Sequence, residues 1–255
     1  MKRVIDEMAK AKGDVERRLR EYIPEIITEC ASFAYLGKSF SFDVGDLSDR
    51  INQKLISLSD AILEDIEARA IRAIEYSGDE EDEDVILAYI KRTRGEANPE
   101  DIITRLDKHC STLRYFLEGW IAIGIVKNIK TYELTNEILR YIDNPFASPL
   151  WQETFNGGYL ATAIQTGAYV LGKGNQRNVL EAMTEIERFA INEAFQYGRF
   201  LKYIKEGAIG YVIHRGSNYD CPYCDSYCEI VHPLDVCLLP LHPRCCCWSE
   251  PIFTI

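Results

Sequence analysis

Residues 219–248 read YDCPYCDSYCEIVHPLDVCLLPLHPRCCCW, and they hold seven of the nine cysteines of the 255-residue chain. Cys221 and Cys224 form one pair with two residues between its members, and His242 and Cys245 form a second pair with the same spacing. Seventeen residues separate the two pairs. Because each short turn can offer two ligands and the intervening loop can fold back, this layout predicts a four-coordinate zinc site.

Zinc suits this set because thiolate and imidazole are its preferred ligands and because it brings no redox chemistry of its own. A closed shell of three cysteines and one histidine would be structural. Cys247 also competes for the fourth position, since it lies two residues beyond Cys245 and both would point to the same face of an extended strand. The tail has few large apolar residues, so a zinc-binding free energy of about 10–16 kcal/mol could replace a hydrophobic core.

Disulfide bonds are the alternative for these cysteines. The odd total of nine and the charged residues 1–22, which contain no apolar leader, favour a cytoplasmic, reduced protein, although bonds could form after release into an oxidising medium. Four residues of the tail are surplus to a single zinc site: Cys228, Cys237, Cys246 and His232. We expect them to be buried small hydrophobic residues rather than a poorly formed second site.

The first half of the chain predicts amphipathic helices. Apolar residues recur at spacings of three and four along residues 15–34, 47–74 and 102–120. Pro24 is expected to interrupt or restart the first helix, because proline removes a backbone donor. The third helix is expected to break near Cys110. The core-facing stripe of the second helix is predicted to comprise Leu47, Ile51, Leu55, Leu58, Ile62, Ile66 and Ile74.

One more long helix is predicted from Val179 to Ile204, with Gly207 placed to end it. Residues 211–213 then resemble a short strand, and five prolines exclude a long helix from the remaining tail. Charged residues decorate the long helix: Glu185, Glu187, Arg188, Glu193 and Arg199. The predicted fold is mainly α, with a helical bundle body and a small C-terminal Cys/His-rich, zinc-stabilised module that contains short strands.

Prolines within residues 143–149 mark the best candidate boundary. We predict a helical domain over residues 1–143, a linker and long amphipathic helix over residues 144–206, and a Cys/His-rich zinc module over residues 207–255. Residues 154–172 carry no formal charge, but glycine and polar residues favour a buried helix or turn over a membrane span.

The net charge of −11 disfavours general binding to nucleic acid or to anionic membranes. No glycine-rich phosphate loop, His-Glu-x-x-His helix or Gly-x-Ser-x-Gly elbow is present, so an enzyme is not indicated. Two alternatives to a structural zinc protein stay open. One is a zinc-ribbon nucleic-acid binder, and the other is a zinc hydrolase with Glu229, Asp235 or Glu250 as its base.

Three strings of the second half resemble the phage Mu protein F-like family of minor head proteins. They are Asn192-Glu193-Ala194, with Thr184-Glu185 on the same helix, then Asp220-Cys221-Pro222-Tyr223-Cys224, and finally Pro240-Leu241-His242-Pro243-Arg244-Cys245-Cys246-Cys247. The resemblance covers roughly the last 80 residues. Arg244 stands where the family usually has Asn, and Cys246 stands where Arg is usual.

The resemblance implies a head-morphogenesis protein of a tailed bacteriophage or prophage. Such a protein associates with portal and capsid proteins during assembly in the host cytoplasm and can travel in the virion. By this resemblance the motif positions are Cys221, Cys224, His242, Cys245 and Cys247. Together with the Cys/His spacing, the missing catalytic motifs and the net charge, this leads us to expect a structural protein that is not an enzyme, with structural Zn²⁺, no membrane association and no direct nucleic-acid contact. Homo-oligomer formation is compatible with that role.

Overall fold

The computed structural model of the chain describes residues 2–34, 45–78, 83–93, 100–144, 147–150 and 178–254. In these ranges the helices are α1 (Lys2–Ala34), α2 (Gly45–Ser77), α3 (Glu83–Lys91), α4 (Ile102–Val126), α5 (Thr131–Arg140), α6 (Val179–Lys205) and the short α7 (Pro222–Asp225). The strands are β1 (Gly210–His214), β2 (Val231–His232) and β3 (Trp248–Ile252). The predicted mainly α fold with short strands in the C-terminal Cys/His-rich segment is therefore confirmed.

The first helix runs through its proline. Pro24 lies inside α1, so the predicted interruption there is wrong. Its neighbours Ile23, Ile26 and Ile27 are 0–2% exposed, and the hydroxyl of Thr28 donates to the carbonyl oxygen of Pro24 over 2.8 Å. The burial of these three side chains offsets a proline cost of about 3 kcal/mol.

The apolar stripes predicted for the other helices of the first half are buried. All seven stripe residues of α2 are at most 5% exposed. The predicted break near Cys110 is absent, because α4 is continuous from Ile102 to Val126. Cys110 is 4% exposed, which agrees with a packing role.

The chain divides into two compact units. The first comprises Met1–Ala11, Glu64–Ile102 and Glu185–Ile255, and the second comprises Lys12–Leu63 and Ile103–Thr184. Each unit is therefore assembled from separate stretches of sequence. The boundary predicted at residues 143–149 stays a prediction, since residues 145, 146 and 151–177 lie outside the described residues.

Helix α6 ends where the sequence predicts. Gly207 has a φ of +77°, a conformation that glycine adopts without strain from a side chain. Its N–H donates to the carbonyl oxygen of Ile204 over 3.1 Å, and the N–H of Ala208 donates to that of Tyr203 over 3.0 Å. This pair of bonds is a Schellman cap, and it turns the chain from α6 into β1.

The strands form one antiparallel sheet in the order β2-β1-β3, with β1 in the centre. Tyr211 pairs with His232 on one side and with Pro251 on the other, so the strand predicted at residues 211–213 is confirmed. Pro251 is tolerated because β3 is an edge strand, where a missing backbone donor does least harm.

No described helix combines the length and apolarity needed to cross a membrane. Residues 154–172, the uncharged stretch of the sequence, lie outside the described residues.

Candidate metal centre

The first pair of thiols is held by a single helical turn. Cys221 has extended backbone just before α7, and Pro222 occupies the start of the turn, where its missing N–H leaves no bond unmade. Cys224 follows one turn later and is 3% exposed. The guanidinium of Arg215 donates to the carbonyl oxygen of Cys221 over 3.1 Å and lies 3.0 Å from the carboxylate of Asp225. These contacts brace the turn that presents both thiols.

His242 brings its imidazole to the same two thiols. Its Nε2 lies 3.0 Å from Sγ of Cys224 and 3.5 Å from Sγ of Cys221. Its Nδ1 lies 2.6 Å from the carbonyl oxygen of Pro243, and a carbonyl can only accept a hydrogen bond. The proton is therefore assigned to Nδ1, which leaves the lone pair of Nε2 directed at the thiols and available to a metal.

The closing segment supplies two more sulfurs. The donor atoms of Cys224, Cys245 and Cys247 lie within 4.8 Å of one another, as do those of Cys221, Cys224 and His242. Cys245 and Cys247 are 2% and 4% exposed, whereas Cys246 between them is exposed. This alternation is the one expected for extended backbone. The structure thus unites all five predicted donors in two triads that share Cys224.

The donor set fits zinc. In a tetrahedral site with Zn–S bonds of about 2.3 Å, the sulfurs lie about 3.8 Å apart. The donor atoms of each triad lie within 4.8 Å of one another, so small side-chain movements would bring them to that spacing. Thiolate and imidazole are the ligands that zinc prefers, and both triads are buried or half-buried. The Cys/His groups could therefore hold a metal ion, with four positions to be filled from five donors.

Two thiols of the first triad differ in acidity. Hydrogen bonds from the backbone and thiol of Cys224, with a contribution from His242, lower the pKa of Cys221 to about 7. Burial, followed by the neighbouring Cys221, raises the pKa of Cys224 well above its usual range. Metal binding requires thiolates. Binding of a metal ion would therefore release protons, chiefly from Cys224, whose thiol is protonated in the metal-free protein.

The sulfurs are also part of a small hydrophobic core. Four of the buried cysteines pack with aromatic and aliphatic side chains of α6, β1 and the loop before His242. This cluster comprises Phe200, Tyr203, Tyr211, Ile213, Cys224, Cys228, Leu239, Cys245 and Cys247. The module therefore has more apolar packing than its own sequence indicates, because α6 contributes to it.

The surplus residues of the tail have different environments. Cys228 is buried, with Sγ 4.0 Å from Sγ of Cys247, which agrees with the expected packing role. His232 is 7% exposed, and its Nε2 lies 2.7 Å from the carbonyl oxygen of Tyr227. Cys246 is exposed, so the expectation of burial is wrong for that residue. Cys237 is half-buried.

Polar side chains of α6 bind the backbone of the closing segment. Asn192 Nδ2 donates to the carbonyl oxygen of Cys245 over 3.0 Å, and Gln196 Nε2 donates to that of Cys247 over 3.3 Å. One turn further, the carbonyl oxygen of Ser249 accepts bonds of 2.8 Å from both Arg199 and Tyr203. The contacts of Asn192 and Gln196 hold the backbone of the two sulfur-bearing residues against α6.

Three of the four acidic residues of α6 are buried in ion pairs, whereas Glu181 in its first turn is exposed. Glu185 is 5% exposed and lies 2.6 Å from Arg244, which has a φ of +66°. Glu193 is 2% exposed and lies 2.8 Å from Arg92. Glu187 is fully buried with Arg69 at 3.4 Å, and Arg69 also pairs with Glu7 at 2.6 Å. Hydrogen bonds from Lys10, Arg69 and Arg72 outweigh the effect of burial and lower the pKa of Glu7 to about 2.

Sequence reasoning missed this role of α6, although a signal was present. The bonding residues Glu185, Asn192, Gln196, Arg199 and Tyr203 follow one another at helical spacings of seven, four, three and four. They therefore lie along one face of the helix. A polar stripe of this kind beside an apolar one indicates a helix that binds backbone as well as side chains.

Loss of the Asn192 amide tests this stripe. In Asn192→Ala the carbonyl oxygen of Cys245 loses its donor in a buried setting, so we expect the free energy of unfolding of the first unit to fall by about 1–3 kcal/mol. Denaturant unfolding of the purified chain measures the change. Asn136→Ala, at an exposed position of α5, is the matched control and should change stability by less than about 0.5 kcal/mol. Equal effects of the two substitutions would contradict the role given to Asn192.

The carboxylates considered as catalytic bases lie elsewhere. Glu229 and Glu250 contact the two nitrogens of His214 at 3.1 and 3.2 Å, and neither belongs to the two donor triads. Asp235 is exposed. The two arginines near the ligands, Arg215 and Arg244, each lie in an ion pair.

The comparisons with known proteins add no assignment: no family model, curated protein or solved structure matches the chain.

Proposed function

We propose that the chain is a structural head-assembly protein of a tailed bacteriophage or prophage, with one structural zinc ion in its C-terminal module. The proposal rests on the resemblance of three separate strings to the phage Mu protein F-like family. The strongest support for this proposal is that two of those strings contact each other. Glu185 pairs with Arg244, and Asn192 binds the carbonyl oxygen of Cys245 across 53 residues of sequence.

The same contacts explain why a motif would combine a helix with a distant Cys/His segment. The zinc ion would join the turn at Cys221 and Cys224 to the turn at His242, while α6 holds the backbone that follows. The result would be a rigid module. The proposed role does not require a reactive group in it. Its task is to dock onto portal and capsid proteins inside the host cell and to remain in the virion.

A binding role towards nucleic acid is less well supported. The net charge is −11, and phosphate contacts need free cationic groups on the surface. Arg215 and Arg244 are already engaged with Asp225 and Glu185. We therefore propose a protein partner, without direct contact to DNA.

Co-purification with the portal protein encoded by the same phage or prophage tests the assembly role. The full chain carries an affinity tag, is co-expressed with the portal protein, and is recovered at low, physiological and high salt. Portal protein is expected in the eluate, and the unrelated portal protein of another phage serves as the control. A clean absence of association at every salt concentration would count against the assembly role, as would a genome in which no portal or capsid gene lies near this one.

A further inference from the structure

One buried thiol outside the five predicted donors touches a member of that set. Cys228 Sγ lies 4.0 Å from Cys247 Sγ, and the two residues are 8% and 4% exposed. Both sulfurs belong to the small core of the module. They are separated by 19 positions in sequence, so a bond between them would close a loop around the segment that carries His242.

The number of donors leaves one sulfur without a role in the metal site. Five donors compete for four positions, and Cys221, Cys224 and His242 already form a triad. Cys245 and Cys247 remain as candidates for the fourth position, and Cys247 is the one whose sulfur lies beside Cys228. Pairing of Cys247 with Cys228 would leave three cysteines and one histidine, which is a complete structural zinc shell.

We propose that Cys228 and Cys247 are a disulfide-forming pair, and that Cys245 completes the metal site with Cys221, Cys224 and His242. The bond requires the two sulfurs to approach from 4.0 Å to about 2.0 Å. The backbone on both sides is anchored, since the N–H of Cys228 donates to the carbonyl oxygen of Cys224 over 3.0 Å and Gln196 binds the carbonyl oxygen of Cys247. Rotation of the two side chains therefore has to supply the movement.

The reaction is thiol–disulfide exchange with a low-molecular-weight disulfide. One cysteine, as its thiolate, attacks the disulfide and forms a mixed disulfide, which releases the first small thiol. The second cysteine, as its thiolate, then attacks the mixed disulfide at the protein sulfur and releases the second small thiol. The protein loses two hydrogen atoms and two electrons, and the small disulfide is reduced to two thiols.

The biological setting of this step rests on the proposed function. A particle assembled in a reducing cytoplasm is later released into an oxidising medium, where structural disulfides persist. There the Cys228–Cys247 bond would crosslink the module in addition to the metal. The chemistry itself depends only on the positions of the thiols.

The test uses the full chain purified under reducing conditions and loaded with zinc. Oxidised glutathione is added, remaining thiols are blocked with a maleimide after denaturation, and the digest is mapped by mass spectrometry. We expect a peptide crosslinked through Cys228 and Cys247, two fewer blocked thiols per chain, and an unchanged zinc content. Cys246→Ser, which removes the exposed neighbouring thiol, should form the same crosslink. Cys228→Ser should keep its zinc and form none.

Release of zinc as the bond forms would overturn the proposal, because it would make Cys247 a ligand. Crosslinks between other cysteines, or none at all, would do the same. If Cys228→Ser does not fold, the crosslink map and zinc content of the unsubstituted chain still decide the matter. No portal protein takes part in this assay, so its outcome is independent of the assembly role.

Discussion

Replacing Cys224 with serine is expected to abolish zinc binding, from about one zinc ion per chain to about none. Cys224 is the donor shared by both triads. Any four-ligand site that omits Cys224 would therefore break both triads. A serine hydroxyl does not ionise near neutral pH and is a poor ligand for zinc. Since structural zinc contributes about 10–16 kcal/mol to folding in small metal domains, the module from β1 to β3 should unfold with it.

Metal analysis of protein purified reduced and without chelator measures the zinc, and limited proteolysis follows the module. The matched control is Cys246→Ser, which changes an exposed cysteine of the same tail and should keep both zinc and protection. A chelator added to the unsubstituted chain should expose the tail to protease before the helices of the second unit. Unsubstituted protein without zinc would end the metal hypothesis, and full zinc content in Cys224→Ser would contradict the role of Cys224 as the shared ligand.

The second large effect is expected at Gly216. A Cβ at this position would overlap the carbonyl oxygen of Cys246, so the loop after β1 and the closing segment approach at a distance that only glycine permits. The obstacle is backbone rather than a flexible side chain. Gly216→Ala is therefore expected to destabilise the module by more than about 3 kcal/mol and to weaken zinc binding, because the segment of Cys245 and Cys247 must shift.

Zinc titration and thermal unfolding of the variant measure these effects. The same substitution at Gly13 in α1, where an added Cβ meets nothing within 4 Å, is the control. Gly13→Ala should stabilise the helix by about 0.5–1 kcal/mol, opposite in sign to the change at Gly216. A Gly216→Ala protein with unchanged zinc affinity and unfolding temperature would show that the close approach does not constrain the module.

Prediction from sequence succeeded where a local pattern is sufficient. The stripe of α2, the end of α6 at Gly207 and the strand around Val212 follow from periodicity or from the conformational freedom of glycine. The Cys and His pattern of the tail also predicted five candidate donors, which the structure brings together in two triads. Their binding of a metal stays a prediction. Each of these features depends on residues close in sequence, or on cysteine, which is rare in the rest of the chain.

Prediction failed where distant residues decide. Pro24 does not interrupt α1, because buried isoleucines on either side of it keep the helix intact. Glu185 and Glu193 are buried, because their partners Arg244 and Arg92 come from other parts of the chain. The sequence around Gly216 gives no sign that glycine is required there. The requirement arises only because the backbone of Cys246 packs against this position in the folded chain.

The amino-acid sequence by itself therefore determined the buried faces of the long helices and a set of groups able to bind a metal, because both follow from residue type and local spacing. Only the tertiary structure decided that α6 binds the backbone of Cys245 and Cys247, that the two triads share Cys224, and that Cys228 lies beside Cys247. These are relations between segments distant in sequence, and their geometry exists only once the chain has packed.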